Sequence, residues 1–180
     1  MAETAPPEEK EEILERVEQR AASYMYEFKG CGQAVLLALQ KEFNLPVDSE
    51  VYKAATFTAA GMARMGDICG LLCGGMMALG LVSGRKYPDD TVYPEPQLID
   101  QATGLPKSLV TLRSFYQKAM EVLGGSTCRD VQLKMCGRTF DLGIPKEWDE
   151  FSELIGTKCS ELAGQVARLA AETILEMPRR

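Results

Sequence analysis

Apolar positions in this chain recur three and four residues apart over most of its length, and no stretch alternates with the period of a strand. Leu14, Val17, Ala21, Tyr24 and Phe28 mark one side of a helix predicted from Lys10 to its stop at Gly30. A second helix is predicted in "CGQAVLLALQKEF", with Val35, Leu36, Leu39 and Phe43 on one side and "NLP" as its end. Asp48 and Ser49 can cap a third helix through "EVYKAATFTAAGMARM", and Asp67 a fourth that carries "CGLLCGGMMALGLVSG". Leu109, Leu112, Tyr116, Ala119 and Leu123 form a clear stripe that ends at "GGST", where Ser126 or Thr127 can cap a short helix over 128–136. "GRTFDLGIPKEW" then leads to a last long helix, on which Cys159, Leu162, Val166, Leu169 and Thr173 share one face.

Two stretches fall outside this pattern. Residues 1–9 are polar and aperiodic, as expected of a disordered tail. Residues 85–106 carry four prolines and little periodicity, which predicts a long surface loop. The expected fold is therefore all-α, a single-domain bundle of about six or seven helices over 10–176, with one long Pro-rich surface loop and no internal repeat. A chain of 180 residues can bury a proper core without disulfides or metal.

Charge narrows the partners. A formal net charge of −6 argues against binding a phosphate backbone, so no nucleic acid is expected. The N-terminal residues lack the basic and apolar regions of a secretory signal, so a cytoplasmic location is expected. The longest apolar run, 68–82, is shorter than the roughly 20 residues a spanning helix needs, so it reads as a core helix and no membrane span is expected.

The chain has six cysteines and no histidine. Without an imidazole it can build no Ser-His or Cys-His pair, no His-ligated zinc and no His-ligated haem. Metal chemistry must then be thiolate chemistry, because cysteines in a reducing compartment are thiols, ligands or redox groups more often than staples. Cys31, Cys69, Cys128 and Cys159 are each predicted at or near a helix start, Cys159 because Gly156 and Thr157 can start or re-cap a helix. Helix starts present unpaired N–H groups that stabilise thiolates, and converging starts would offer four of them to one iron–sulfur cluster or one tetrahedral zinc. Cys69 and Cys73, four apart on one helical face, could bind one centre or act as attacking and resolving thiols.

Around them lie Gly70, Gly74, Gly75 and Gly80, each costing about 1 kcal/mol in a helix against alanine, which calls for a packing or functional reason. Every one of these features also has a structural reading. A buried cysteine is a small hydrophobe, Met76 and Met77 are adaptable core filler, and "EEKEE" is a solvated helix start. Arg64 is a surface or capping charge in one reading and a partner for an anionic centre in the other.

Four segments carry a resemblance: "CGQAVLLAL" at Cys31, "GMARMGDICGLLCGGMMALGLVSG" around Cys69, "GGSTCRDV" at Cys128 and "KCSELAGQVARLAAE" at Cys159. Over about residues 30–170 the chain resembles the C_GCAxxG_C_C family of cysteine-rich helical proteins, which implies electron transfer or an iron–sulfur or related centre. Position by position, the resemblance implies Cys31, Cys69, Cys128 and Cys159 as the family set, with Cys73 and Cys136 additional. The order here is Cys69-Gly-Leu-Leu-Cys73-Gly, not the eponymous Gly-Cys-Ala, which leaves both Cys69 and Cys73 open as the second ligand. The family is also similar to part of a split-Soret cytochrome, but without histidine or C-x-x-C-H no haem is expected.

The expected function is thus a cytoplasmic redox protein in which Cys31, Cys69, Cys128 and Cys159 ligate an iron–sulfur cluster and pass electrons to a partner protein. Cys73 and Cys136 would complete a larger or second centre. The alternatives are a metal-free thiol oxidoreductase using Cys69 and Cys73, and a structural zinc or interaction module. The small size and the Gly-rich helix are compatible with a homodimer. No general base, phosphate loop or substrate pocket is recognisable in the sequence, so whether the protein is an enzyme stays open at this point.

Overall fold

The computed structural model describes residues 6–84, 102 and 106–177, apart from the side chains of 155 and 156. Seven α-helices and one 3₁₀ turn appear among them: α1 Pro7–Phe28, α2 Cys31–Phe43, α3 Ser49–Ala54, the 3₁₀ turn Thr56–Thr58, α4 Gly70–Ser83, α5 Lys107–Leu123, α6 Cys128–Cys136 and α7 Pro145–Glu176. No strand occurs among the described residues, where an isolated bridge pairs Ile68 with Thr127. The fold is all-α, as the periodicity predicts. No helix among the described residues is long and apolar enough to cross a membrane.

The long helices α1 and α7 lie antiparallel. Lys10 pairs with Glu176, Arg168 reaches Glu11 and Glu18, and the Cα of Gly164 lies against the backbone of Glu18. Helix α2 runs antiparallel to α1, with Arg16 and Arg20 both on Glu42. Between them sits the core, built from Val17, Ala21 and Met25 of α1, Leu36 and Leu39 of α2, Leu72 and Leu79 of α4, Phe115 of α5 and Val166 and Ala170 of α7. Helix α4 enters close to α2 because glycines meet there. A Cβ on Gly74 would overlap the Gly32 carbonyl oxygen and stand 2.9 Å from its Cα, and one on Gly75 would stand 2.5 Å from the Phe115 ring.

Several boundaries differ from the sequence reading. The expected tail over 1–9 is helical from Pro7, because a proline at the first helical position and Glu8 and Glu9 in the first turn start a helix well. The buried face of α1 turns to Met25, which leaves Phe28 39% exposed, and in α5 Phe115 is buried while Leu109 is 41% exposed. The predicted third helix ends eleven residues early, at Ala54, although Asp48 caps it as expected by accepting from the Glu50 and Val51 amides. Helix α4 starts without an Asp67 cap, since Cys69 itself is the N-cap residue. The predicted loop over 85–106 lies outside the described residues except for 102 and 106.

Beyond the 3₁₀ turn the chain does something its alanines do not advertise. Ala60, Gly61, Met62, Ala63 and Arg64 all have positive φ, between 51° and 75°, a run in the left-handed region. Each non-glycine residue there costs roughly 1–2 kcal/mol, so the turn has to be held from outside. It is held by its own cross-bonds, Ala63 N–H to the Phe57 carbonyl at 2.8 Å and Asp67 N–H to the Gly61 carbonyl at 2.9 Å. It is also tied to the start of α6, where Cys128 N–H donates to the Asp67 carbonyl at 2.7 Å and Arg129 N–H to the Gly66 carbonyl at 3.1 Å.

Candidate functional site

The left-handed turn brings three helix starts together. Cys31 is the first residue of α2, Cys69 the N-cap of α4 and Cys128 the first residue of α6. Helix α6 is fixed by a reciprocal capping box: Thr127 Oγ1 accepts from the Asp130 amide at 3.1 Å, and Asp130 accepts from the Thr127 amide at 2.9 Å. Cys69 N–H donates to the Ser126 carbonyl at 2.9 Å, which locks the start of α4 against the turn before α6. Two missing Cβ atoms allow the approach: one on Gly70 would stand 2.8 Å from the Cys31 Cβ, and one on Gly61 would stand 2.7 Å from the Cys128 Cβ.

Cys159 arrives differently from the sequence expectation. Helix α7 runs unbroken through 156 and 157, so Cys159 lies in the middle of the long helix, where its N–H is already spent in the helix ladder. It contributes a buried thiol and no helix-start dipole. Cys69, as the N-cap residue of α4, has extended backbone angles, and Cys73 one turn on donates its N–H to the Cys69 carbonyl at 3.1 Å.

Cys31, Cys69, Cys128 and Cys159 are all buried and free, whereas Cys73 and Cys136 are half-buried. Cys31 adds repulsion to Cys69, Cys73, Cys128 and Cys159 alike. Burial pushes its thiol up, opposed by the Ala60 amide and its own. Cys69 is pushed up by burial and then by Cys31 and Cys128, and the amides of Leu71 and Leu72 at the start of α4 pull the other way. Cys128 is pushed up to about 11 by burial, against the side-chain amide of Gln132, with Cys31 adding repulsion and Arg129 offsetting it. Cys159 is raised by burial and by Cys31, Cys69, Cys128 and Cys136. Cys73 is raised by burial and responds to Cys31. Burial and the neighbouring thiols thus both favour the protonated form. A bound cation reverses this, because a coordinating thiol is deprotonated outright.

No three Cys, Asp or Glu side chains among the described residues stand close enough to hold one metal ion. A single tetrahedral zinc, with Zn–S near 2.3 Å, would need its sulfurs drawn to about 3.8 Å of one another.

Residues 29–173, a span that includes every cysteine, match the family described as "Putative redox-active protein (C_GCAxxG_C_C)". The chain belongs to that family. No curated protein and no solved structure matches it.

The family's cysteine pattern says nothing of the residues that support the thiols here. Gln132 is fully buried, donates from Nε2 to Cys128 Sγ at 3.5 Å and accepts the Phe140 amide on Oε1 at 2.8 Å. Its polar character on a short helix is the one sequence signal that could have singled it out. Ala60, whose amide faces Cys31, carries no such signal. Met76 and Met77 are half-buried against the core, in line with filler. Arg64 stacks on the Trp148 ring, with its guanidinium carbon 3.6 Å from the ring centroid.

Proposed function

We propose that this protein is a redox carrier in which Cys31, Cys69, Cys128 and Cys159 hold an iron–sulfur cluster and exchange electrons with a partner protein. The observation that carries this reading is the burial of those four free thiols, three of them at helix starts, with Cys31 in electrostatic reach of the other three. The donor chemistry fits: four thiolates for iron, and amides from Ala60, Leu71 and Leu72 with the Gln132 side chain to stabilise charge on sulfur. A cluster held there would supply one-electron transfer. The protein's own part is to exclude water with the buried side chains of Leu71, Leu72 and Phe140. Cys73 and Cys136, half-buried and coupled to Cys31 and to Cys159 respectively, stand at the edge of this set as accessory thiols.

A metal-free thiol mechanism is less well supported. A nucleophilic cysteine needs a lowered pKa, and burial with mutual repulsion moves Cys69 and Cys73 upward. The test is the visible absorption spectrum of protein purified without oxygen, with iron, sulfide and zinc assayed on the same sample. A broad absorbance that bleaches on reduction, with iron and sulfide in comparable amounts, is expected. A colourless preparation, holding zinc alone or no metal after reconstitution, would contradict the cluster.

A further inference from the structure

Beside the left-handed turn lies a cavity of about 560 Å³, within the range of small-molecule sites. Its walls are the turn itself, through Ala63, Arg64 and Met65, the first turn of α6 through Arg129, and the segment 139–143 that connects α6 to α7.

Two guanidinium groups enter this cavity, and both are held. Arg64 lies on the face of Trp148, a stack that fixes the plane of the guanidinium and leaves its in-plane N–H edge for a ligand. Arg129 donates from one nitrogen to the Met65 carbonyl at 2.7 Å, which fixes its fork beside the same turn. The wall behind them is rigid as well. Trp148 packs on Phe151 at 6.4 Å between centroids, Phe151 packs on Phe140 at 5.5 Å, and Phe140 and Leu142 are buried. The Asp141 carboxylate, which accepts the Gly143 amide at 3.0 Å, is the opposing charge in the lining, and Thr139 adds a hydroxyl. In the lining itself two cations face one carboxylate, on a chain of net charge −6; the Glu147 carboxylate, which accepts the Asp141 amide at 2.7 Å, lies outside the lining.

The cavity is also connected to the thiols. Arg129 follows Cys128 in the chain, and the Phe140 amide in the cavity wall donates to Gln132, which donates to Cys128 Sγ. Four strained non-glycine residues, Ala60, Met62, Ala63 and Arg64, are spent on a turn that places Arg64 in the cavity lining.

We propose that this cavity binds a small anionic reactant, a compound bearing a carboxylate or oxyanion group, on the paired guanidinium groups of Arg64 and Arg129. Planar guanidinium forks recognise such groups through paired charge-assisted hydrogen bonds. The role of reactant rests on the redox reading above, whereas the binding itself does not.

Trp148 is the chain's single tryptophan, so its emission reports on the Arg64 stack. The experiment titrates the full-length protein with succinate and, separately, with inorganic phosphate, at ionic strength held constant with sodium chloride. Metal content is measured on the same sample, so a failed titration removes the anion site and leaves the cluster reading intact. At least one of the two anions should give a saturable change in emission, and which one names the recognised group. Arg129→Gln, which does not touch Trp148, should weaken that binding by about tenfold or more. Asp141→Asn, which keeps the acceptor for Gly143 and removes the opposing charge, should tighten it severalfold. No saturable response to either anion, or equal affinity in Arg129→Gln with an unchanged circular dichroism spectrum, would overturn the proposal.

Discussion

The glycines of α4 differ in what a methyl group would meet, and that difference sets the sign of two substitutions on one helix. Gly74 faces the Gly32 backbone, which cannot step aside, whereas Gly80 is exposed with nothing within 4 Å of an added Cβ. Gly74→Ala should destabilise the protein by about 1–3 kcal/mol through overpacking, and Gly80→Ala should stabilise it by up to about 1 kcal/mol through helix propensity. Thermal denaturation of the two variants checks both signs. The sequence asked for a reason for each of four glycines; Gly70, Gly74 and Gly75 have one in close packing, and Gly80 does not. Glu42 supplies a second test at this scale. The hydrogen bond from Arg16 holds its carboxyl below the ordinary value of 4.5, with partial burial opposing and Arg20 assisting. A carboxyl whose folded value is depressed stabilises fully above its ordinary value and loses that contribution as pH falls through the folded value. Glu42→Gln should therefore be less stable than the parent at neutral pH, and the gap in denaturation midpoint should close on acidification below the folded value.

Among the elements, the long helices were legible because a stripe of apolar residues at helical spacing leaves little choice of period. The turn over 60–64 was not legible. Alanine, methionine and arginine favour right-handed helix, and only the backbone bonds of Ala63, Gly66 and Asp67 within the turn, with those of Cys128 and Arg129 across to α6, reverse that preference. Ala63 is exposed at φ 51°, so Ala63→Gly should relieve strain of about 1 kcal/mol, against the usual destabilising direction of such a change. The expected result is a melting temperature higher by roughly 2–4 °C. Thr127→Ala should act in the other sense, removing the α6 cap at a cost of about 1 kcal/mol and loosening Cys128, which chemical denaturation and thiol-accessibility kinetics both read.

For the molecule as a whole, the sequence placed three of the four cysteines correctly at helix starts and misplaced the fourth. Cys31, Cys69 and Cys128 stand at helix starts as their neighbours predicted, while Cys159 comes from the middle of α7, where glycine and threonine suggested a break that core packing on both sides overrides. The cavity at Arg64 and Arg129 could not be read from the chain, because its walls come from segments more than sixty residues apart and are joined by the Arg129–Met65 bond. The central proposal is that four thiols act together around Cys31. The most direct measurement is the iron and sulfide bound per chain after anaerobic reconstitution of the parent protein and Cys31→Ser side by side, with circular dichroism confirming that both are folded. The parent should take up iron and sulfide in comparable amounts and Cys31→Ser should lose most of both. Equal loading of the two proteins, or none in the parent, would contradict it.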